Sequence, residues 1–174
     1  MAYKAINNIA AVDLDDIDKE SATKKYPLGT VIEVNDTSKG GVSQFMYVKA
    51  HAAFATVGTP FQITAGSGGD AEVVTKANAT LANGALIGFN NIAITVDYYF
   101  FAQTGGVVTA AAAAGIAAGD HVEVINAGTS VTVDGTSGST TLSTKSIGVA
   151  KTATTASQIE LAIVPGRRVE IAAA

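Results

Sequence analysis

The sequence predicts an all-β fold: a compact β-sandwich or small β-barrel with an extended N-terminal arm and at most short helical turns. Three observations carry that expectation. Val and Ile together greatly outnumber Leu, and β-branched side chains suit a pleated, half-buried surface. Apolar residues alternate at period two, most clearly from residue 92 to residue 103. Gly, Asn, Asp, Ser and Thr cut the apolar runs into short segments bounded by turn formers.

The elements follow in order. Residues 1–25 read as an arm and residues 26–174 as the β-rich domain. The arm carries Asp13, Asp15, Asp16 and Asp18, then Lys19, Glu20, Lys24 and Lys25, with Val12, Leu14 and Ile17 as the large apolar groups near them. One helical turn is expected near residues 15–20, in a segment too polar to fold alone. Residues 31–34 and 44–49 form a hairpin around the turn formers 35–41. Residues 61–64 make a third strand opened by Pro60, followed by a loop at 65–70. Residues 72–75 and 85–88 are two further strands.

The strongest strand signal runs from 92 to 103. Ile92, Ile94, Val96, Tyr98 and Phe100 lie on one face, and Ala93, Thr95, Asp97, Tyr99 and Phe101 on the other. The second set turns apolar at Tyr99 and Phe101, so both faces are covered there, by a second sheet or a subunit. Residues 110–114 favour a helix by propensity, but Gly115 and Gly119 leave room for only one helical turn or a loop. Residues 121–124 and 130–133 form a second hairpin around Asn126-Ala127-Gly128. Residues 147–150 and 158–163 finish the sheet, and Pro165-Gly166 breaks it before a last segment at 167–171.

Bulk composition narrows the function. A chain of 174 residues is one domain, or one domain plus an arm, and buries roughly 70% of its unfolded surface without needing a staple. It has no Cys, which removes thiol redox chemistry and thiolate metal sites. A net charge of −4, with basic residues clustered only as the pairs Lys24-Lys25 and Arg167-Arg168, argues against nucleic acid as a partner. No signal peptide is read at the start and no membrane span along the chain, so no membrane partner is expected.

Reactive constellations are equally sparse. His121 lies between Asp120 and Glu123, but alternation makes it part of a polar strand face, and His51 reads as a surface residue. The acidic run from Asp13 fails as a calcium loop, because the sixth position is Asp18 and the twelfth Lys24. Gly66-Ser67-Gly68-Gly69 lacks the Lys and Ser/Thr of a phosphate loop. The sequons at Asn35 and Asn78 have no secretion signal behind them. No catalytic residue, metal or cofactor is therefore expected, and the chain does not read as an enzyme. The aromatic run Tyr98-Tyr99-Phe100-Phe101 is the strongest contact candidate, since aromatic side chains are enriched at interface cores.

Four segments in order carry a family resemblance. Tyr26-Pro27-Leu28-Gly29-Thr30 with Phe45-Met46-Tyr47-Val48-Lys49-Ala50 is similar to the opening of small virion proteins of tailed phages. Tyr98 to Gly106 resembles their aromatic strand and turn, with Phe100 where the pattern has Trp. Ala118-Gly119-Asp120-His121-Val122 and Ser146-Ile147-Gly148-Val149-Ala150 resemble two later motifs. Together they resemble the capsid decoration, or cement, proteins of tailed bacteriophages; the acidic arm has no counterpart in the pattern. The resemblance implies a structural protein, made in the host cytoplasm and seated on the outer capsid surface of the virion as a homotrimer. It would bridge neighbouring major capsid protein subunits and stabilise the shell. Val12, Leu14 and Ile17 of the arm, with Tyr99 and Phe101, are the expected contacts to capsid or subunit. The alternative is a phage fibre, spike or adhesin-type β module binding a host surface glycan, which exposed aromatics on a loop would favour.

Overall fold

The computed structural model describes residues 3–7, 12–64, 74–76, 85–124, 130–134, 146–163 and 168–169; of these, 3–7, 74–76, 85 and 168–169 are described as backbone. Strands are β1 (Tyr3–Asn7), β2 (Val31–Asp36), β3 (Gly41–Lys49), β4 (Pro60–Thr64), β5 (Val74–Lys76), β6 (Ala85–Phe89) and β7 (Tyr99–Ala111). After them come β8 (His121–Val124), β9 (Val131–Val133), β10 (Gly148–Ala150), β11 (Gln158–Ile163) and β12 (Arg168–Val169). A single 3₁₀ turn at Leu14–Asp16 is the helical content among the described residues. The chain is all-β, as its β-branched, period-two texture predicts.

The strands join in one sheet ordered β1-β2-β3-β5-β4-β6-β7-β11-β10-β8-β9, with β12 on β6. Every pairing of these strands is antiparallel except β3 with β5. A further pairing of β3 with β7 links the path back on itself, so β3, β5, β4, β6 and β7 form a closed circuit of pairings. The path stays open at its ends, β1 and β9.

Strand β7 organises the molecule. Its first half pairs with β3, from Tyr99↔Lys49 to Gly105↔Gln44, and its second half pairs with β11, from Gly106↔Ile163 to Ala111↔Gln158. The register slips between Gln44 and Phe45, which makes a bulge at the changeover. Gln103, 1% exposed, stabilises the bulge: its Nε2 donates toward Ser43 Oγ at 3.2 Å, Gly105 O at 3.2 Å and Val107 O at 3.0 Å. A buried amide with these acceptors avoids the cost of an unpaired polar group.

Three apolar clusters fill the fold. One gathers Phe89, Val108, Val122, Val131, Ile147, Ile159 and Leu161 under the C-terminal strands. The second holds Val48, Phe54, Phe61, Ile94 and Phe100, and the third Val12, Ile17, Ile32, Val34, Phe45, Tyr47 and Phe101. Phe100 and Phe101 thus serve opposite faces of β7, as alternation requires.

Two local expectations are corrected. The strand expected to start at 92 begins at Tyr99, because the backbone turns at Asp97 (φ 66), whose N–H donates to Ala50 O while Tyr98 N–H donates to Thr95 O. Residue 94 keeps only a bridge to Phe54. The start of the Ala run expected as a helical turn or loop is extended, since β7 continues to Ala111 and Ala112 bridges Val131, and the chain then enters the expected loop, with turns at 114–115 and 118–119. The β11 partners of Ala110 and Ala111, Ile159 and Gln158, override the helix propensity of Ala there. The expected strand at 72–75 is found at Val74–Lys76. The 65–70 loop, the 126–128 turn and Pro165-Gly166 lie outside the described residues, although β8 and β9 pair as a hairpin requires.

One turn is strained. Thr155 and Gln158 exchange both backbone hydrogen bonds at 3.0 Å around Ala156 (φ 50) and Ser157 (φ 61). Two positive φ values call for Asn-Gly at such a turn. Ala156→Asn combined with Ser157→Gly is expected to stabilise the protein by about 1–2 kcal/mol. The check is a raised urea midpoint at unchanged slope.

Candidate contact site: the N-terminal strap and its aromatic face

Residues 12–21 cross the sheet as a strap rather than projecting as a free arm. The 3₁₀ turn starts where Asp13 Oδ1 accepts Asp15 N–H at 3.0 Å, an N-cap that leaves Val12 and Ile17 pointing inward. Val12 is 3% exposed and Ile17 1%, both among Ile32, Val34, Phe45, Tyr47 and Phe101. Further along, Ser21 and Tyr99 exchange backbone hydrogen bonds at 2.9 and 2.8 Å. The Glu20 carboxylate accepts Thr95 N–H at 2.6 Å and Thr95 Oγ1–H at 2.8 Å. The second face of β7 is covered by the chain's own strap.

Beneath the strap lies an aromatic cluster. Tyr26 meets Tyr47 edge-on at 5.1 Å, Tyr47 meets Phe101 at 4.9 Å, Tyr26 meets Phe101 at 5.6 Å, and Tyr47 stacks on Tyr99 at 6.1 Å. These spacings fall in the range where rings attract beyond simple burial. The hydroxyls tie the cluster to the strap. Tyr26 O–H donates to Asp16 Oδ2 at 2.6 Å and accepts Asp13 N–H at 3.1 Å; Tyr47 OH accepts Lys25 N–H at 3.1 Å.

Asp16 is the electrostatic centre. Burial on its own would raise its carboxyl, but hydrogen bonds from Lys25 Nζ at 2.7 Å and from Tyr26, with the Lys25 and Lys19 charges, hold it below the usual carboxylate range. Lys25 is raised, first by its hydrogen bond to Asp16. Tyr26 is raised by burial and then by the hydrogen bond it gives Asp16, and Tyr47 by burial. A carboxyl depressed in the folded state adds stability that is present above its unfolded pKa, about 4, and disappears as pH falls through the folded value. The melting-temperature gap between wild type and Asp16→Asn is therefore expected to be constant above about pH 5 and to close below pH 4. A thermal melt series from pH 7 to 2.5 checks it.

The expected contact residues divide into two groups. Val12, Ile17 and Phe101 are core residues of the single chain, packed against its own sheet. Leu14 and Tyr99 are half-buried against the same cluster and keep part of their surface. Among the described residues the exposed large apolar groups are Val31, Val42 and Val96. Sequence reading missed Asp16, Glu20, Tyr26 and Tyr47 as the residues that hold the strap, because their partners are 10 to 75 positions away and leave no local pattern.

The four motif segments all sit where the backbone is constrained. Thr30 closes a turn on Pro27 O through its N–H (3.2 Å) and Oγ1–H (2.7 Å), and Gly29 N–H donates to Tyr47 O. Gln103 to Gly106 form the β7 bulge. Asp120, 3% exposed, accepts Ala117 N–H at 2.8 Å and so closes the turn that enters β8. At Gly148 a side chain would run into the Ala162 carbonyl on β11.

His121 is half-buried on the face opposite Val122 and Val124, and its Nδ1 is buried without a hydrogen-bond partner. His51 is exposed. Among the described residues no group of three His, Cys, Asp or Glu is placed to hold a metal ion, and no helix is long and apolar enough to cross a membrane. Gly66-Ser67-Gly68-Gly69 and the Asn78 sequon lie outside the described residues. No protein-family model, curated protein or solved structure matches the chain.

Proposed function

We propose that this chain is a structural virion protein that binds the outer surface of a tailed-phage capsid as a homotrimer and stabilises it by bridging neighbouring major capsid protein subunits. The observation that carries the reading is the ordered set of four decoration-protein-like segments. They lie at a turn, a bulge, a second turn and a close strand contact. A cement protein works by resisting deformation, and a sheet closed by the β3–β7 pairing and tied down by its own strap suits that task. Half-buried Leu14 and Tyr99, with outward Val31, Val42 and Val96, supply apolar surface for contact. Many such sites on one shell would add through multivalency.

The test is co-sedimentation of the purified chain with mature phage shells stripped of their decoration protein. Saturable binding, together with greater resistance of the decorated shells to heat or chelator, is the expected outcome. Failure to bind any shell, with binding to a host surface glycan instead, would remove the proposal in favour of a fibre or adhesin module.

A further inference from the structure

Lys39 stands apart from the other described lysines. It lies in the β2–β3 turn, where Gly40 N–H donates to Asp36 O and the Asp36 carboxylate accepts Ser38 N–H, Ser38 Oγ–H and Lys39 N–H. This turn folds the Lys39 side chain back over the sheet. Its Nζ donates to Thr109 Oγ1 on β7 at 2.8 Å, across 70 positions of sequence. Lys25 and Lys49, in contrast, pair directly with Asp16 at 2.7 Å and Asp97 at 3.2 Å. Among the described residues the Lys39 amine has the Thr109 hydroxyl as its partner and no carboxylate in ion-pair range.

The surroundings set its chemistry. Burial pushes the Lys39 amine below the usual lysine range, and the nearby carboxylates of Asp36 on its own turn, Glu160 on β11 and Asp18 after the 3₁₀ turn only partly offset this. A lysine losing hydration in this way carries more free amine near neutral pH and is the better nucleophile. Acylation removes the charge that burial opposes, and the resulting amide N–H can still donate to Thr109 Oγ1. The same three carboxylates repel an acyl group that brings its own negative charge.

We propose that Lys39 is a modification site that accepts small uncharged acyl groups from an acyl phosphate or thioester. The Nζ lone pair attacks the acyl carbonyl carbon, the phosphate or thiolate leaves with its bonding electrons, and the ammonium proton of the adduct passes to solvent. The product is a neutral amide at the hairpin tip. The inference does not depend on the capsid reading, because it rests on this turn, β7 and the neighbouring carboxylates Glu160 and Asp18.

The test uses the full chain with acetyl phosphate at low occupancy from pH 6.5 to 10.5, with label at each lysine quantified by peptide mass spectrometry. At pH 7.5 Lys39 is expected to carry at least about threefold more acetyl than Lys25 or Lys49, and its lead is expected to narrow toward pH 10.5, where an ordinary lysine is about half neutral. The lead is expected to vanish in denaturant, which separates the folded environment from local sequence. Acetic and succinic anhydride, compared on the folded chain, should favour the acetyl product at Lys39 more strongly than at Lys25. Slower labelling of Lys39 than of Lys25 and Lys49 at every pH would overturn the proposal, as would a lead that persists in denaturant.

Discussion

Gly106→Ala is expected to lower the free energy of unfolding by about 3–5 kcal/mol, which for a chain of this size lowers the melting temperature by about 10 °C. Two costs add at this position. Gly106 has φ +88, a conformation that side chains rarely adopt, and an added Cβ would stand 2.5 Å from Val42 O and 2.8 Å from Ser43 Oγ. The obstructing atoms include backbone of β3, the strand that Gln103 and the bulge hold in place, so little can yield. Gly115→Ala separates the two costs. Gly115 has φ +87 with nothing within 4 Å, so only backbone strain applies and a loss of about 1 kcal/mol is expected. Urea unfolding of both variants reads the difference. Equal, small losses would show that β7 does not pass β3 as closely as described.

Ile17→Ala is expected to cost about 2–5 kcal/mol. Ile17 is 1% exposed among Ile32, Val34, Tyr47 and Phe101, so its truncation leaves a cavity between strap and sheet. A free arm would give a loss near zero, and the same urea measurement distinguishes the two. The result also bears on any truncation. Removing residues 1–25 takes Val12 and Ile17 from the core and uncovers Tyr47 and Phe101, so lost capsid binding by such a variant would have to be separated from lost stability.

How far the sequence predicts this structure depends on the range of the forces involved. Residues 158–163 alternate apolar and polar, and β11 occupies those same residues; the β2–β3 hairpin likewise follows from two alternating runs around a Gly-rich turn. The break at Asp97 is not legible in the sequence, because Ile92, Ile94, Val96, Tyr98 and Phe100 keep period two through it; the turn shows in the Asp97 φ of 66 and in the Asp97 N–H to Ala50 O and Tyr98 N–H to Thr95 O bonds. The strand at Ala110 and Ala111 escapes the sequence because helix propensity is local and their strand partners are in β11. The same limit hid the contact site. Val12, Leu14 and Ile17 were recognisable as the arm's apolar groups, but the receiving face is assembled from β2, β3 and β7, and no spacing within the arm encodes it. Lys39 was invisible for the same reason, its partner Thr109 being set by the fold.

The central claim is that this all-β body holds capsid subunits together from outside. Electron microscopy of the particle with which the chain copurifies tests it most directly. The account predicts density for the chain on the outer surface of an icosahedral shell, at the local three-fold positions between neighbouring capsid subunits. Density confined to a tail, a fibre or a single vertex would contradict it.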